Sequence, residues 1–188
     1  DDISLVHVAT GTTGGKEIYV PWTWRDFYLN ELSPGLPYLV DVKPGDICLN
    51  ALPYEMSSSG LAFHKVFMSG CKATVIPAGK AGAYSSPEKT VRVMQDLQPT
   101  IVMTTPSYSM RLAEAAADIG FDLQSLPLRR IWLTGEGCSF AFRERVEKIW
   151  GAKANFYYGS LEGGGLGVEC DEHRGYHIPM SHALVEIV

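Results

Sequence analysis

The sequence predicts an α/β fold in which a mostly parallel sheet is flanked by helices. Two observations carry this. Short apolar runs of strand type alternate four times with segments of helical periodicity between Asp46 and Tyr157. Glycine, proline and hydroxyl residues cluster just after each apolar run, where a strand hands over to a helix.

The elements follow in order. Glu17–Pro21 alternates in character and reads as a strand leading away from a glycine-rich loop. Trp22–Leu32 is expected to be helical, with Thr23 or Asp26 near its start, before an irregular connection marked by Pro34, Gly35, Pro37, Pro44 and Gly45. Asp46–Leu49 is a short strand, Leu61–Ser69 a helix closed by Gly70, and Cys71–Ile76 a strand stopped by Pro77. Ser86 before Pro87 suits a helix start, and Ser85 with Glu88 has the spacing of a capping box. Val91, Val93, Met94 and Leu97 give that helix its apolar stripe, and Pro99 ends it. Thr100–Met103 reads as a buried strand. Ser107 is expected to open a helix with Met110, Leu112, Ala113, Ala116 and Ile119 inside and Gly120 as its stop. Arg130–Leu133 is a strand; Phe142, Val146 and Ile149 line a helix reaching Gly151; Ala154–Tyr157 is a strand, and Ala183–Val188 another. Internal repeats and low-complexity tracts are absent.

The 188 residues are enough for one domain with a sizeable core, and the mixture of 46% hydrophobic and 20% charged residues is that of a folded soluble protein. A net charge of −5, with no lysine–arginine cluster, argues against nucleic acid as a partner. No apolar run is long enough to cross a bilayer, and Asp1–Ser4 carries no signal-peptide features, so no membrane partner is expected. Cys48, Cys71, Cys138 and Cys170 are widely spaced, and reduced thiols in the cytoplasm are the expected state. Both ends read as cut, so residues 1–188 are expected to be part of a longer chain.

In parallel sheets ligands sit beyond the carboxyl ends of the strands. The residues to read are therefore those that follow each strand: Asn50–Tyr54 with Ser57–Gly60, Thr104–Tyr108, Thr134–Gly137 and Tyr158–Gly165. Near the amino end, Ala9-Thr10-Gly11-Thr12-Thr13-Gly14-Gly15-Lys16 joins glycines, hydroxyls and a lysine in one loop. Backbone N–H groups, threonine hydroxyls and a cation together can hold phosphates. The spacing is not that of the common P-loop, because Glu17 follows Lys16. Taken singly, each stretch also reads as an ordinary turn.

Together, these stretches resemble the ANL adenylate-forming superfamily. Ala9–Lys16 is similar to its phosphate loop, Thr134-Gly135-Glu136 to its Gly-Ala-Glu turn, and Tyr158-Gly159-Ser160-Leu161-Glu162 to its Tyr-Gly-x-Thr-Glu motif. Gln98–Tyr108 and the segment from Glu169-Cys170 to Gly175-Tyr176-His177 are similar to the phenylacetate–CoA ligase branch. The pattern departs where Ala9 replaces a loop serine, Gly15 is inserted, Glu17 replaces proline and Ser160-Leu161 removes a hydroxyl. The family's later Gly-Arg-x-x-Asp segment and C-terminal domain with its lysine are not in the chain. The resemblance thus implies that residues 1–188 are a truncated AMP-binding core. It implies ATP-dependent conversion of a carboxylic acid, expected to be aryl or arylalkyl, to an acyl-adenylate, then transfer to CoA. Passage of the acyl group to an amine or a carrier protein, or a non-catalytic nucleotide- or acyl-binding fragment, are the alternatives.

The resemblance also implies roles. Thr10, Gly11, Thr12, Thr13, Gly14, Gly15 and Lys16 would hold the phosphates of ATP, with Lys16 and Glu162 as the catalytic pair. Glu162 would place Mg²⁺, which favours carboxylate and phosphate oxygens. Gly135, Glu136, Tyr158, Gly159 and Ser160 would complete the ATP site. Tyr54, Phe63, Pro106, Tyr108 and Thr134 are candidates for the acid pocket, although core packing suits Phe63 equally. His64, in an apolar helical run, reads as a satisfied packing histidine. Cys170-x-x-His173-x-x-x-His177 has ligand types at metal-like spacing, and Cys138, Cys170 and His177 are the candidate ligands of a structural Zn²⁺. Association into a homo-oligomer is expected if apolar surface stays uncovered.

Overall fold

The computed structural model describes residues 2–9, 15–30, 41–178 and 184–186. Thr10, Gly11, Thr12, Thr13 and Gly14 of the phosphate loop lie outside the described residues, as do Leu32, Pro34, Gly35 and Pro37.

Two strands, β1 (Ile3–Ala9) and β2 (Ile18–Thr23), pair antiparallel as a separate ribbon. The main sheet contains β3 (Ile47–Ala51), β4 (Thr74–Pro77), β5 (Ile101–Thr104), β6 (Arg130–Thr134), β7 (Lys153–Ser160), β8 (Gly164–Glu169) and β9 (Tyr176–His177). Their order across it is β4-β3-β5-β6-β7-β8-β9. Pairing is parallel from β4 to β7 and antiparallel from β7 to β9. The connecting helices are α1 (Ser58–Lys65), α2 (Pro87–Leu97), α3 (Pro106–Asp118) and α4 (Phe140–Trp150).

The central strands are buried on both faces, which is why they read as continuous apolar runs. Their side chains still alternate. Val102, Ile131 and Leu133 join one core with Met94 of α2, Leu112 of α3 and Val146 of α4. Ile101, Met103 and Trp132 face the other way, against Phe63 of α1 and Phe67. Helices therefore cover both faces, and the predicted fold class is the observed one. The chain runs outward from β3 to β4, then returns past β3 to β5, β6 and β7. The β3/β5 boundary is thus a topological switch point, where the crevice beyond the strand ends opens.

Several boundaries differ from expectation, each for a local reason. β2 runs to Thr23, and of the expected Trp22–Leu32 helix residues 24–30 are helical, with π-type hydrogen bonding over Asp26–Asn30. Thr23 caps it: its hydroxyl donates to Asp26 Oδ2 (2.7 Å) and accepts from Asp26 N (3.1 Å). β4 begins at Thr74 rather than Cys71, because Cys71 N still bonds Val66 O as the preceding helical turn closes. α3 starts at Pro106, not Ser107, since Thr105 is the N-cap and accepts from Tyr108 N. At α2 the cap is Ser86, which accepts from Lys89 N (3.2 Å), in place of the Ser85–Glu88 box. Leu184–Glu186 lies outside any strand, and the rest of the expected Ala183–Val188 strand lies outside the described residues.

Candidate active site

The rim beyond the carboxyl ends of β3–β7 is assembled from short turns. At the end of β6, Thr134 is buried and Gly135 takes a left-handed φ of +81°, turning the chain toward α4. Glu136 then reaches back across the rim. Its Oε1 accepts from Lys80 Nζ (3.0 Å) and Ser107 Oγ (2.8 Å), and its Oε2 from Ser107 N (2.9 Å). Burial alone would raise the Glu136 carboxyl, but these donors overcome it and hold the group down at about 2.

At the end of β7 the pairing with β8 slips between Tyr158 and Gly159. Such an irregularity re-aims side chains, and Tyr158 is left 56% exposed with its ring 5.8 Å from that of Tyr176. Gly159 is required here, because an added Cβ would lie 2.6 Å from the Gly164 carbonyl oxygen. The Ser160 hydroxyl accepts from Gly163 N (2.9 Å) and so shapes the turn that carries the exposed Glu162. The β6 turn and the β7 end meet on one cavity of about 610 Å³, lined in part by Gly135, Glu136, Tyr158 and Gly159.

One side of that cavity is ionic. Arg143 of α4, 6% exposed, directs Nη1 at both Glu169 oxygens (2.8 and 2.9 Å) and lies 2.9 Å from His173 Nδ1. Glu169 Oε2 also accepts from Phe156 N of β7 (3.0 Å), so one carboxylate joins α4, β7 and β8. Sequence reasoning missed this pair. It chose Phe142, Val146 and Ile149 as the inner stripe of α4, whereas the buried positions are Arg143, Val146 and Trp150. The available signal was Glu169, an acid that directly ends the run Leu166-Gly167-Val168.

Of the remaining candidates, Gly15 and Lys16 are exposed at the foot of β2. The ribbon that carries them is tied to the rim, since Val8 N donates to Met56 O (2.9 Å) in the loop after β3. Tyr54 stands on that same loop. Asn50 Nδ2 donates to its hydroxyl (3.0 Å), which in turn lies 3.1 Å from His64 Nδ1. Burial pushes the Tyr54 phenol up to about 12. His64 is thereby a partnered side chain on α1, as its apolar setting predicts. Tyr54 borders a second, largely apolar cavity of about 460 Å³ with Ile76, Ala78, Tyr84 and Val93.

Phe63 takes the core position that suits it equally, and Tyr108, a candidate for the acid wall, is buried too. Phe63 is buried against Phe67 and Tyr157, with ring centroids 5.7 and 4.6 Å away. Tyr108 is 1% exposed, and its hydroxyl accepts from Ala81 N (3.2 Å). Both side chains pack the core, because the helices that carry them turn those positions onto the sheet. Pro106 is likewise buried as the first residue of α3.

The zinc expectation is also corrected. Among the described residues no group of three or more His, Cys, Asp or Glu side chains is placed to hold a metal ion, so Cys138, Cys170 and His177 do not form a site. The Arg143 guanidinium and its Glu169 partner line the cavity beside Cys138, and His173 is held by them. Burial raises the Cys138 thiol. All four cysteines are free thiols, as expected.

No family model matches the chain. Among curated proteins it is 32% identical over 195 residues to the phenylacetate–coenzyme A ligase of Thermus thermophilus, and 31% identical over 194 residues to that of Pseudomonas putida. Each alignment takes in 100% of this chain and 42% of the relative, so the chain spans less than half the length of the proteins it matches. Among solved structures, a 2-hydroxyisobutyryl-CoA ligase in complex with 2-HIB-AMP and CoA superposes with a TM-score of 0.72 at 20% identity, over 89% of this chain and 38% of that one. Brucella canis acyl-CoA synthetase gives 0.67 at 20% identity, over 95% and 31%. The resemblance read from three short motifs therefore extends to the whole chain: it is similar throughout to phenylacetate–CoA ligases and has the α/β fold of part of the ANL-superfamily acyl-CoA ligases.

Proposed function

We propose that the protein carrying this chain is an AMP-forming acyl-CoA ligase. It would activate a carboxylic acid with ATP and then transfer the acyl group to CoA. The observation that carries the reading is the 610 Å³ cavity. There the Thr134–Glu136 turn and the Tyr158–Gly159 strand end, distant in sequence and each motif-like, share one wall. The curated relatives bear the name phenylacetate–coenzyme A ligase, and a solved neighbour was captured with an acyl-AMP and CoA.

In the first step a carboxylate oxygen of the acid attacks the α-phosphorus of ATP. Pyrophosphate leaves with the electron pair of the broken P–O bond, giving the acyl-adenylate. In the second step the CoA sulfur attacks the acyl carbon, its proton is lost, and AMP departs. Neither step requires a covalent bond to the protein, so catalysis rests on positioning and on neutralising charge. The adenine base of ATP would lie in the large cavity against Gly135 and Gly159, with the exposed Tyr158 ring beside it. Thr10–Lys16 would hold the β- and γ-phosphates through N–H groups, hydroxyls and the Lys16 ammonium. The aromatic surface at Tyr54 would contact an aryl or arylalkyl group.

Mg²⁺ is a hard cation that combines one or two carboxylates with phosphate oxygens and water. Glu162 fits that donor set: it is exposed in the β7–β8 turn and makes no ion pair among the described residues. It would hold Mg²⁺ on the phosphates, and the ion would supply charge neutralisation there. We assign the protein to the cytoplasm on its free thiols; no helix among the described residues is long and apolar enough to cross a membrane.

The test is acid-dependent exchange of labelled pyrophosphate into ATP by the full-length protein, across a panel of aryl and aliphatic acids. Exchange with an arylacetate, and a thioester once CoA is added, is the expected result. Exchange without a thioester would point to an amine or carrier-protein acceptor. No exchange with any acid refutes adenylation. A Thr12→Val/Thr13→Val double change should weaken ATP binding about tenfold with the fold intact, as loss of a hydrogen bond to a charged group predicts.

A further inference from the structure

Glu136 is expected from the sequence to contact nucleotide, yet its carboxylate is already committed. Three protein donors fill it: the Lys80 ammonium, the Ser107 hydroxyl and the Ser107 backbone N–H. These partners come from different loops. Lys80 follows β4, Ser107 lies in the first turn of α3 after β5, and Glu136 follows β6. Because the strand order is β4-β3-β5-β6, the cluster spans the carboxyl end of β3, over the topological switch point.

The segment that delivers Lys80 is itself held in an unfavourable form. Gly79 and Ala81, on either side of it, have φ of +72° and +54°. A non-glycine residue adopts that left-handed region at a cost, and persists there when its surroundings over-determine it. Two further bonds do so: Gly79 N donates to Asn50 O (3.1 Å) and Ala81 N to the Tyr108 hydroxyl (3.2 Å). The buried Tyr108 thereby acquires a role that core packing alone does not require.

We propose that Lys80, Glu136 and Ser107 form a clasp that fixes the Thr134–Glu136 turn against α3 and so sets nucleotide affinity, with Glu136 a positioning residue rather than a nucleotide contact. The link to affinity rests on reading the 610 Å³ cavity as the nucleotide site. The clasp itself rests only on the rim geometry. Glu136 joins the last turn of the parallel sheet to the first residues of α3, and Gly135, next to it, lines the cavity. Without the clasp, the left-handed Gly135 would leave this turn free to swing.

The experiment compares Glu136→Gln, Lys80→Met and Lys80→Arg in the full-length protein. Amide hydrogen exchange is followed over residues 104–109 and 134–139, and KM for ATP and for the acid is taken from pyrophosphate exchange. Glu136→Gln should speed exchange in the 134–139 turn and raise ATP KM by about tenfold each, the worth of one charge-assisted hydrogen bond. Acid KM should stay near wild type and the thermal midpoint should fall by only about 3–6 °C, less than a general folding defect would bring. Lys80→Met should act in the same direction by about threefold, and Lys80→Arg, which keeps the charge, should restore most of the affinity. Unchanged amide exchange in the turn of Glu136→Gln overturns the clasp, and so does an ATP KM within about twofold of wild type. If the wild-type protein shows no exchange reaction with any acid, the functional reading falls. Amide exchange then decides the clasp alone: acceleration upholds it and its absence overturns it.

Discussion

The buried Arg143–Glu169 pair gives a sharp quantitative test of how the cavity is built. Glu169→Ala would leave the Arg143 guanidinium, 6% exposed, without its bidentate partner, and Phe156 N without its acceptor. Breaking a buried ion pair by removing one partner costs about 3–5 kcal/mol. Domain stability is typically about 5–15 kcal/mol, so this one change consumes a large share of it. At about 2–4 °C per kcal/mol for a domain of this size, the midpoint should fall by about 6–20 °C. Urea unfolding followed by fluorescence of the buried Trp132 and Trp150 reads the loss directly. The decisive variant is the double change Arg143→Met/Glu169→Leu. Replacing both charges by apolar groups removes the desolvation penalty together with the attraction, so the double variant should regain at least half of what Glu169→Ala loses. A loss below about 1 kcal/mol in Glu169→Ala would refute the reasoning, because exposed pairs behave that way. Additive losses in the double variant would refute it equally.

Other outcomes follow from the same geometry. The Glu136 carboxyl is depressed from 4.5 to about 2, so its donors stabilise the fold fully above the unfolded value, and that contribution is lost as pH falls from 4.5 toward 2. Wild type minus Glu136→Gln stability, measured by urea midpoints across that window, should therefore shrink as pH falls; a constant difference would contradict the assignment. Gly159→Ala places a Cβ 2.6 Å from a carbonyl oxygen, and should cost about 1–3 kcal/mol and weaken ATP binding by shifting Tyr158. Tyr54→Ala should raise acid KM several-fold and leave ATP KM unchanged, which steady-state kinetics with each substrate varied will separate. Burial pushes the Cys71 thiol up to about 11 and the Cys48 thiol higher still, so at pH 8 a thiol reagent should label Cys138 and Cys170 well before either, as read by peptide mass spectrometry.

Strand and helix identity was legible because it depends on neighbouring residues alone. The apolar runs at Ile101–Thr104 and Arg130–Thr134 declared buried strands, and Ser86-Pro87 declared the start of α2. The rim was legible for a related reason: a parallel strand must be followed by a turn at its carboxyl end, so position along the chain predicts position in space. Thr134–Glu136 and Tyr158–Gly159 were found in this way, and the cavity joins them. The burial of Tyr108, and which of its two readings Phe63 takes, were not legible because an aromatic side chain near a strand end can face either the crevice or the core, and only helix rotation chooses. The zinc set rested on spacing along the chain, which does not say whether the side chains converge.

The sequence by itself therefore determined the α/β class, the order of the elements from β3 to β7 and the likeness to adenylate-forming ligases. Each of these is carried by local periodicity or by short contiguous motifs. Tertiary structure alone decided the strand order, the Arg143–Glu169 wall and the Lys80–Glu136–Ser107 cluster. In these the partners are brought together from separate elements, and electrostatic energy depends on distance and burial, which a linear sequence does not contain.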